Sequence, residues 1–74
     1  MKYTVIVTPK KAILDPQGKA IKNVAQNYLG KKIKSIRVGK YFEIETDEPL
    51  ETVEKLAKNI LSNEVIEDYR VLKS

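Results

Sequence analysis

The sequence contains no cysteine, no histidine and no tryptophan. Without cysteine there is no disulfide to stabilise a small fold, and without cysteine or histidine there is no zinc-type metal site. The same absences remove the commonest general base and the strongest nucleophile. The serines lie in no nucleophile-elbow motif, and the chain has no phosphate-binding glycine loop. We therefore expect no catalysis by this chain alone.

Long hydrophobic runs are also missing, and none approaches the roughly 20 residues that a membrane-spanning helix needs. The amino terminus, MKYTVIVTPKK, is too short and too strand-like for a signal peptide. We expect a soluble cytoplasmic protein with one domain, residues 1–74. A chain of this length has a small core, so oligomerisation is the remaining common way to stabilise it.

Charge is divided unequally along the chain. Residues 1–40 contain ten Lys or Arg and one acid, Asp15, whereas residues 41–74 contain four bases and nine acids. The net charges are therefore +9 and −5. The basic half could meet nucleic acid, an anionic substrate or an acidic partner. It would equally serve a head-to-tail or swapped association, in which one copy's basic half lies against another's acidic half.

A strand and a helix are predicted for the first thirty residues. Residues 2–8 alternate, with Tyr3, Val5 and Val7 on one face. Residues 9–15 connect this strand to a helix over residues 16–29, which Asp15 caps and Pro16 opens. Gly30 ends the helix in a left-handed conformation. The apolar stripe of the helix consists of Ala20, Ile21, Val24, Ala25, Tyr28 and Leu29.

Residues 31–49 require a choice between a hairpin and one long strand. A two-residue turn at Gly39 and Lys40 would place Ile36 on the same side as Glu43 and break the apolar face, so we reject it. A three-residue loop over 39–41 would keep the apolar residues on one face, but we favour one long strand, bent or bulged at Gly39. A strand of about 12 residues is twice the usual length, so its far end is expected to pair with another chain.

A second helix over residues 49–62 and a last strand over residues 64–73 complete the chain. The helix begins at Pro49, and Asn63 is predicted to end it in a left-handed conformation. Its buried stripe consists of Leu50, Val53, Leu56, Ala57, Ile60 and Leu61. In the last strand, Val65, Tyr69 and Val71 share one face. The predicted class is α+β, with the order β-α-β-α-β, a long bent central strand, and an antiparallel sheet with two helices on one face, related to ferredoxin-like folds.

Two side-chain clusters suggest other functions. Glu43 and Glu45 share a strand face, as paired carboxylates for acid–base catalysis would, but a solvated polar face is the favoured interpretation. A platform for single-stranded nucleic acid could be formed by Lys31, Lys32, Lys34, Arg37, Lys40, Tyr41 and Phe42. In the alternation of the strand, Phe42 falls on the same face as the core residues, and the sequence lacks the stacked aromatic residues of an RNA-binding strand. We therefore favour a solvated lysine face for this cluster.

Three blocks carry a resemblance to a known family: LDPQGKAI at residues 14–21, IRVGKYFEIE at 36–45 and NEVIEDYRV at 63–71. With the length and element order, they resemble the PurS family, the small subunit of phosphoribosylformylglycinamidine synthase. The likeness covers nearly the whole chain and implies a PurS-like fold. In that family the enzyme is divided among a large synthase subunit, a glutaminase subunit and this small protein.

The resemblance implies a complex of purine biosynthesis that converts formylglycinamide ribonucleotide, glutamine and ATP to formylglycinamidine ribonucleotide, glutamate, ADP and phosphate. In it, this chain would be a non-catalytic adaptor that docks the glutaminase to the synthase and supports ammonia transfer. The resemblance also implies a homodimer or tetramer, no cofactor bound by this chain, and ATP and Mg²⁺ used by the complex. A small basic nucleic-acid-binding domain is the alternative function, and a small-molecule-sensing domain is a third, by fold analogy.

The family blocks place a partner or oligomer interface on ten residues: Asp15, Gln17, Gly18, Lys19, Arg37, Gly39, Lys40, Tyr41, Asp68 and Tyr69. Asp15 has a structural interpretation as the helix cap. Gly18 has no capping role and lowers helix propensity by about 1 kcal/mol relative to Ala. We expect its missing side chain to let another backbone or an anionic group approach free N–H groups.

The other interface residues also have structural interpretations. Gly39 either permits a bulge or packs against a partner subunit. Arg37 and Lys40 are either solvated charges or subunit contacts. Tyr69 is expected to lie half in the core and half in an interface.

Overall fold

A computed structural model describes residues 1–74 and contains three strands and two helices. The elements are β1 (Lys2–Pro9), α1 (Pro16–Leu29), β2 (Lys40–Glu45), α2 (Leu50–Leu56) and β3 (Glu67–Lys73), with a π-helical turn (Ala57–Leu61) continuing α2. The sheet has the order β2-β1-β3, and both pairs are antiparallel. The predicted α+β class, element order and antiparallel sheet are confirmed.

The core follows from the alternation of β1. Tyr3, Val5 and Val7 point to one face of the sheet and are buried, and Val53 and Ala57 pack on them from the second helix. Five partly buried residues surround this cluster: Phe42, Ile44, Leu61, Tyr69 and Val71. The Tyr3 hydroxyl donates to the carbonyl of Glu48 at 2.9 Å, which ties β1 to the loop before α2.

The ends of α1 are those predicted from the sequence. The Asp15 side chain accepts a hydrogen bond from the backbone N–H of Gly18 at 2.9 Å, and Pro16 occupies the first turn. Gly30 has φ 63°, in the left-handed region, and its N–H donates to the carbonyl of Gln26. The cap, the proline and the glycine therefore fix both boundaries locally.

α1 does not cover the sheet within one chain, which corrects the expectation that both helices lie on one sheet face. Ile21 is 43%, Val24 69% and Tyr28 88% exposed. The radius of gyration is 15.3 Å, whereas a compact chain of this length would have about 11 Å. The physical reason is that α1 and its cap are hydrogen-bonded to the segment before β2 instead. The N–H of Val38 donates to the Asp15 carboxylate, and the N–H of Ile33 donates to the Gln26 side chain.

The predicted long strand is shorter in the structure. β2 contains six residues, and its pairing with β1 ends at Lys40 opposite Val7. The backbone N–H groups of Ile33 and Val38 donate to side chains, at 2.9 Å each, so this part of the segment forms no strand ladder within the chain. Rejection of the hairpin is confirmed, because β2 pairs with β1.

The second helix changes its winding after Leu56. In the π-helical turn, Ser62 Oγ donates to the carbonyl of Ala57 at 2.8 Å. The wider turn keeps Leu61 on the core while Ile60 is 73% exposed, so the predicted burial of Ile60 is wrong. Leu50, also predicted to be buried, is 39% exposed.

The region between the second helix and β3 also differs from the prediction. Asn63 is not a left-handed stop, because no residue other than glycine has a positive φ. Its side chain instead accepts a hydrogen bond from Val65, and its carbonyl accepts from Ile66 and Glu67. Val65 lies in this turn before β3 and is 75% exposed, so it does not share the core face of Tyr69 and Val71.

Candidate interaction surface

The carboxylate of Asp15 joins α1 to the segment that precedes β2. Oδ1 accepts from the N–H of Gly18 and Oδ2 accepts from the N–H of Val38, each at 2.9 Å. These bonds favour the charged carboxylate, the Val38 bond most strongly, so they lower the pKa of Asp15 from its ordinary value. The positive charge of Arg37 adds to the effect. Asp15 is therefore a helix cap and also a tertiary contact.

Gly18 permits a close approach, as expected, and its own chain supplies the neighbour. A Cβ on Gly18 would overlap the carbonyl oxygen of Ile36 and the carboxylate of Asp15. Gly18 is buried, and its φ is not positive. The glycine is thus required by crowding rather than by backbone conformation.

Gly39 has a similar role at the edge of β1. A Cβ there would overlap the carbonyl oxygen of Val7, and Gly39 does not have a positive φ. The packing partner in the structure is therefore the chain's own strand. Gln17, Lys19 and Arg37 surround this region as exposed side chains. Six of the predicted interface residues thus lie where α1 meets the segment before β2: Asp15, Gln17, Gly18, Lys19, Arg37 and Gly39.

The other four predicted residues lie on the sheet. Lys40 Nζ is 3.8 Å from Glu67 Oε2, and Asp68 Oδ1 accepts from Lys10 Nζ at 2.7 Å. Tyr69 packs on the core and is partly exposed, which agrees with its predicted half-core position. Tyr41 is 64% exposed and points to the sheet face opposite the helix. The structure therefore divides the predicted residues into two groups.

Sequence reasoning missed two features of this surface. Glu67 and Asn63 bond reciprocally, because Asn63 N–H donates to Glu67 Oε1 at 2.8 Å and Glu67 N–H donates to the carbonyl of Asn63 at 2.7 Å. No short-range pattern signalled this pair. The second feature is an exposed apolar groove on α1, lined by Ala20, Ile21, Val24, Ala25 and Tyr28. The stripe itself was visible in the sequence, but its lack of a cover was not.

Two parts of the molecule differ in shape and charge. We call residues 15–39, which comprise α1 and the segment up to Gly39, the arm; the sheet with α2 and the π-helical turn is the body. The arm contains six Lys or Arg and one acid, Asp15. Residues 43–54 of the body, which we call the acidic stretch, contain six acids and no base. None of the chain's three ion pairs includes an arm cation or an acid of this stretch.

The surface has neither a buried polar side chain nor a metal-binding cluster. No charged or polar side chain is buried, and no group of three or more His, Cys, Asp or Glu side chains is arranged to hold a metal ion. Glu43 and Glu45 are exposed, in agreement with the solvated interpretation. No helix in the structure has both the length and the hydrophobicity needed to cross a bilayer. What the chain offers a partner is an uncovered apolar groove flanked by unpaired charges.

The family model described as PurS, phosphoribosylformylglycinamidine (FGAM) synthase, matches residues 2–74. The chain belongs to the PurS family. It is 36% identical over 73 residues to the PurS subunit of Bacillus subtilis, covering 93% of this chain and 87% of that protein. It is 38% identical over 76 residues to the PurS subunit of Methanocaldococcus jannaschii, covering 95% and 90%.

Solved PurS structures have the same fold. The structure of Bacillus subtilis PurS has a TM-score of 0.80 at 35% identity, over 96% of this chain and 94% of that one. A chain of the PurLQS structure from Thermotoga maritima has a TM-score of 0.79 at 30% identity, over 96% and 93%. PurS is a subunit of FGAM synthase, an enzyme of purine biosynthesis, and the complex is the enzyme. The nucleic-acid alternative is not favoured by these similarities.

Proposed function

We propose that this chain is the non-catalytic small subunit of phosphoribosylformylglycinamidine synthase. It docks a glutaminase subunit of the PurQ type to a synthase subunit of the PurL type and so supports ammonia transfer between them. The complex converts formylglycinamide ribonucleotide, glutamine and ATP to formylglycinamidine ribonucleotide, glutamate, ADP and phosphate. The observation that carries the proposal is the likeness to a chain of the PurLQS assembly over 96% of this sequence.

An adaptor role agrees with the chemistry of the side chains. Ammonia made at one active site must reach the other before water protonates it, so a rigid spacer between two enzymes is useful without a reactive group of its own. The ten predicted interface residues lie at the arm's junction with the body and on the sheet, where contact with larger subunits requires no buried pocket. We assign ATP and Mg²⁺ to the complex, and none of the cofactors to this chain.

We further propose that the chain works in the cytoplasm as a homodimer or tetramer. Only six of 74 residues are buried in the single chain, so its core is small even for its length. Association would cover apolar surface that the single chain leaves in water.

Reconstitution with the PurL-type and PurQ-type subunits of the same organism tests the adaptor role. We expect glutamine-dependent formation of formylglycinamidine ribonucleotide to require this chain. Ammonium supplied in place of glutamine serves as the control, because the synthase alone would then receive its nitrogen source directly. Docking predicts that omission of this chain abolishes the glutamine-dependent rate and spares the ammonium-dependent rate. Full glutamine-dependent turnover without the chain would contradict the proposal.

A further inference from the structure

The peptide bond between Asp15 and Pro16 is the only Asp–Pro bond in the sequence. An Asp carboxylate can attack its own peptide carbonyl through a five-membered ring. The nitrogen of a following proline leaves readily, because a tertiary amide nitrogen accepts a proton more easily than a secondary one. The other two prolines follow Thr8 and Glu48, and neither of these side chains can close a five-membered anhydride. Asp15–Pro16 is therefore the bond that this chain can cut by itself in acid.

The cleavage needs only water and a proton from outside the chain. A carboxylate oxygen of Asp15 bonds to the Asp15 carbonyl carbon while the nitrogen of Pro16 takes a proton from the acidic solvent. The bond between that carbon and that nitrogen breaks, which leaves a cyclic anhydride at Asp15 and a free amine at Pro16. Water then opens the anhydride to two carboxyl groups. The products are residues 1–15 and residues 16–74.

The folded chain holds every oxygen of this reaction in a hydrogen bond. Asp15 Oδ1 accepts from the N–H of Gly18 and Oδ2 accepts from the N–H of Val38, each at 2.9 Å. The Asp15 carbonyl oxygen accepts from the N–H of Lys19 at 3.0 Å, as an i to i+4 bond at the start of α1. Attack of the carboxylate on its own carbonyl carbon therefore requires that both carboxylate bonds break first.

We infer that the packing of α1 against the segment before β2 protects the Asp15–Pro16 bond, so that the bond is cut only when this junction opens. α1 packs closely on no other helix or strand, so the junction can open while the body stays folded. The rate of cleavage then follows the population of the open form. A cut would separate β1, the central strand, from the rest of the chain. This inference concerns the chain alone and does not depend on the proposed function.

The competing possibility is that the fold promotes the cleavage. The hydrogen bond from Lys19 N–H polarises the Asp15 carbonyl, as a donor of an oxyanion hole does. Polarisation speeds the reaction only if a nucleophile can reach the carbonyl carbon. Both oxygens of the nucleophile are held by other N–H groups, so protection is the favoured outcome.

Mass spectrometry of the whole chain measures the cleavage directly. The natural chain is kept warm at the lowest pH at which circular dichroism shows it folded, with and without denaturing urea. We expect fragments 1–15 and 16–74 to form in urea and to form about thirtyfold more slowly without it, because two hydrogen bonds to a charged group must break first. The Glu48–Pro49 bond is the internal control and should stay intact in both samples. Equal rates, or faster cleavage of the folded chain, would overturn the inference.

Two variants test whether the junction is the part that opens. Gly18→Ala places a Cβ against the Asp15 carboxylate and the Ile36 carbonyl oxygen, so it should speed cleavage of the folded chain about tenfold and leave the rate in urea unchanged. Val53→Ala removes buried atoms from the core of the body instead, and should change the folded rate less. Leu61→Ala, on the same core, replaces it if circular dichroism shows Val53→Ala unfolded. An equal or larger effect of the core variant would refute the inference, because global unfolding would then expose the bond.

Discussion

At the scale of single residues, Asp15 has the most connections among the predicted interface residues. Its two carboxylate oxygens accept from Gly18 and from Val38, and neither bond leaves the chain. The family block around it therefore has an internal explanation: one carboxylate starts α1 and fixes the segment before β2. Any contact with another subunit would be additional to these bonds.

Stability should consequently depend on the ionisation of Asp15. The hydrogen bonds lower its pKa in the folded state. A lowered pKa means that the stabilisation is complete above the unfolded value, about 3.9, and is lost as pH falls through the folded value. Asp15→Asn should unfold at a lower temperature at neutral pH, and its difference from the natural chain should shrink in acid. Thermal unfolding of both proteins across this pH range measures the difference.

The reason for this result is the chemistry of the amide. Asn has one acceptor oxygen where Asp15 uses two, so its NH₂ group would face one of the two N–H donors. Exposed Asp47, which forms no ion pair, supplies the control substitution Asp47→Asn. A difference from the natural chain that is constant with pH would show that the Asp15 carboxylate has no such role.

At the scale of elements, the packing of α1 against the segment that precedes β2 depends on Gly18. Ala at this position would improve helix propensity by about 1 kcal/mol, but its Cβ would overlap the backbone oxygen of Ile36. Overpacking against backbone costs about 1–3 kcal/mol. We therefore expect Gly18→Ala to lower the free energy of unfolding by up to about 2 kcal/mol, measured by urea denaturation.

The matched control is Asn23→Ala, on an exposed part of the same helix. It gains helix propensity without a clash, so we expect it to raise stability by up to about 0.7 kcal/mol. Equal stabilisation by the two alanine substitutions would mean that the Ile36 carbonyl moves away at no cost.

Elements with local signals were predictable from the sequence. The alternation of β1 and the Asp15, Pro16 and Gly30 signals fixed a strand and both ends of α1. The π-helical turn had no such signal, because its wider winding is stabilised by core packing of Leu61 and by the Ser62 hydroxyl. Periodicity of 3.6 residues therefore assigned Ile60 to the wrong side.

The position of α1 also lay beyond the reach of the sequence pattern. An apolar stripe predicts that one face of a helix will be covered, but it does not predict which surface covers that face. The sequence pattern was also insufficient for residues 31–39. Their apolar residues indicated a buried strand, but the N–H groups of Ile33 and Val38 donate to the side chains of Gln26 and Asp15 instead of to a neighbouring strand. The apolar stripe and the basic charges beside it were visible in the sequence, but only the structure shows that the chain leaves the stripe uncovered.

At the scale of the whole molecule, the arm is basic and part of the body is acidic. The extents of 47 × 25 × 13 Å describe an elongated molecule, and its sequence contains a basic arm and an acidic stretch. The arm's net charge of +5, from six cations and one acid, makes arm-to-arm contact unfavourable. The six acids of the acidic stretch, none of them in an ion pair, make contact between the arm and this part of the body favourable at the same salt concentration.

In the proposed homodimer, the arm of one copy could contact either the acidic stretch or the arm of the other copy. Salt should therefore change the stability of these two dimers in opposite directions. Screening of arm-to-body attraction weakens the dimer, whereas screening of arm-to-arm repulsion strengthens it. For the arm-to-body contact, raising NaCl from about 0.05 M to about 0.5 M should remove roughly 1–2 kcal/mol of ion-pair energy and raise the dissociation constant about tenfold. Sedimentation equilibrium at the two concentrations gives the sign directly. A dissociation constant that falls with salt would assign the groove on α1 to another α1, because only like charges are relieved by screening.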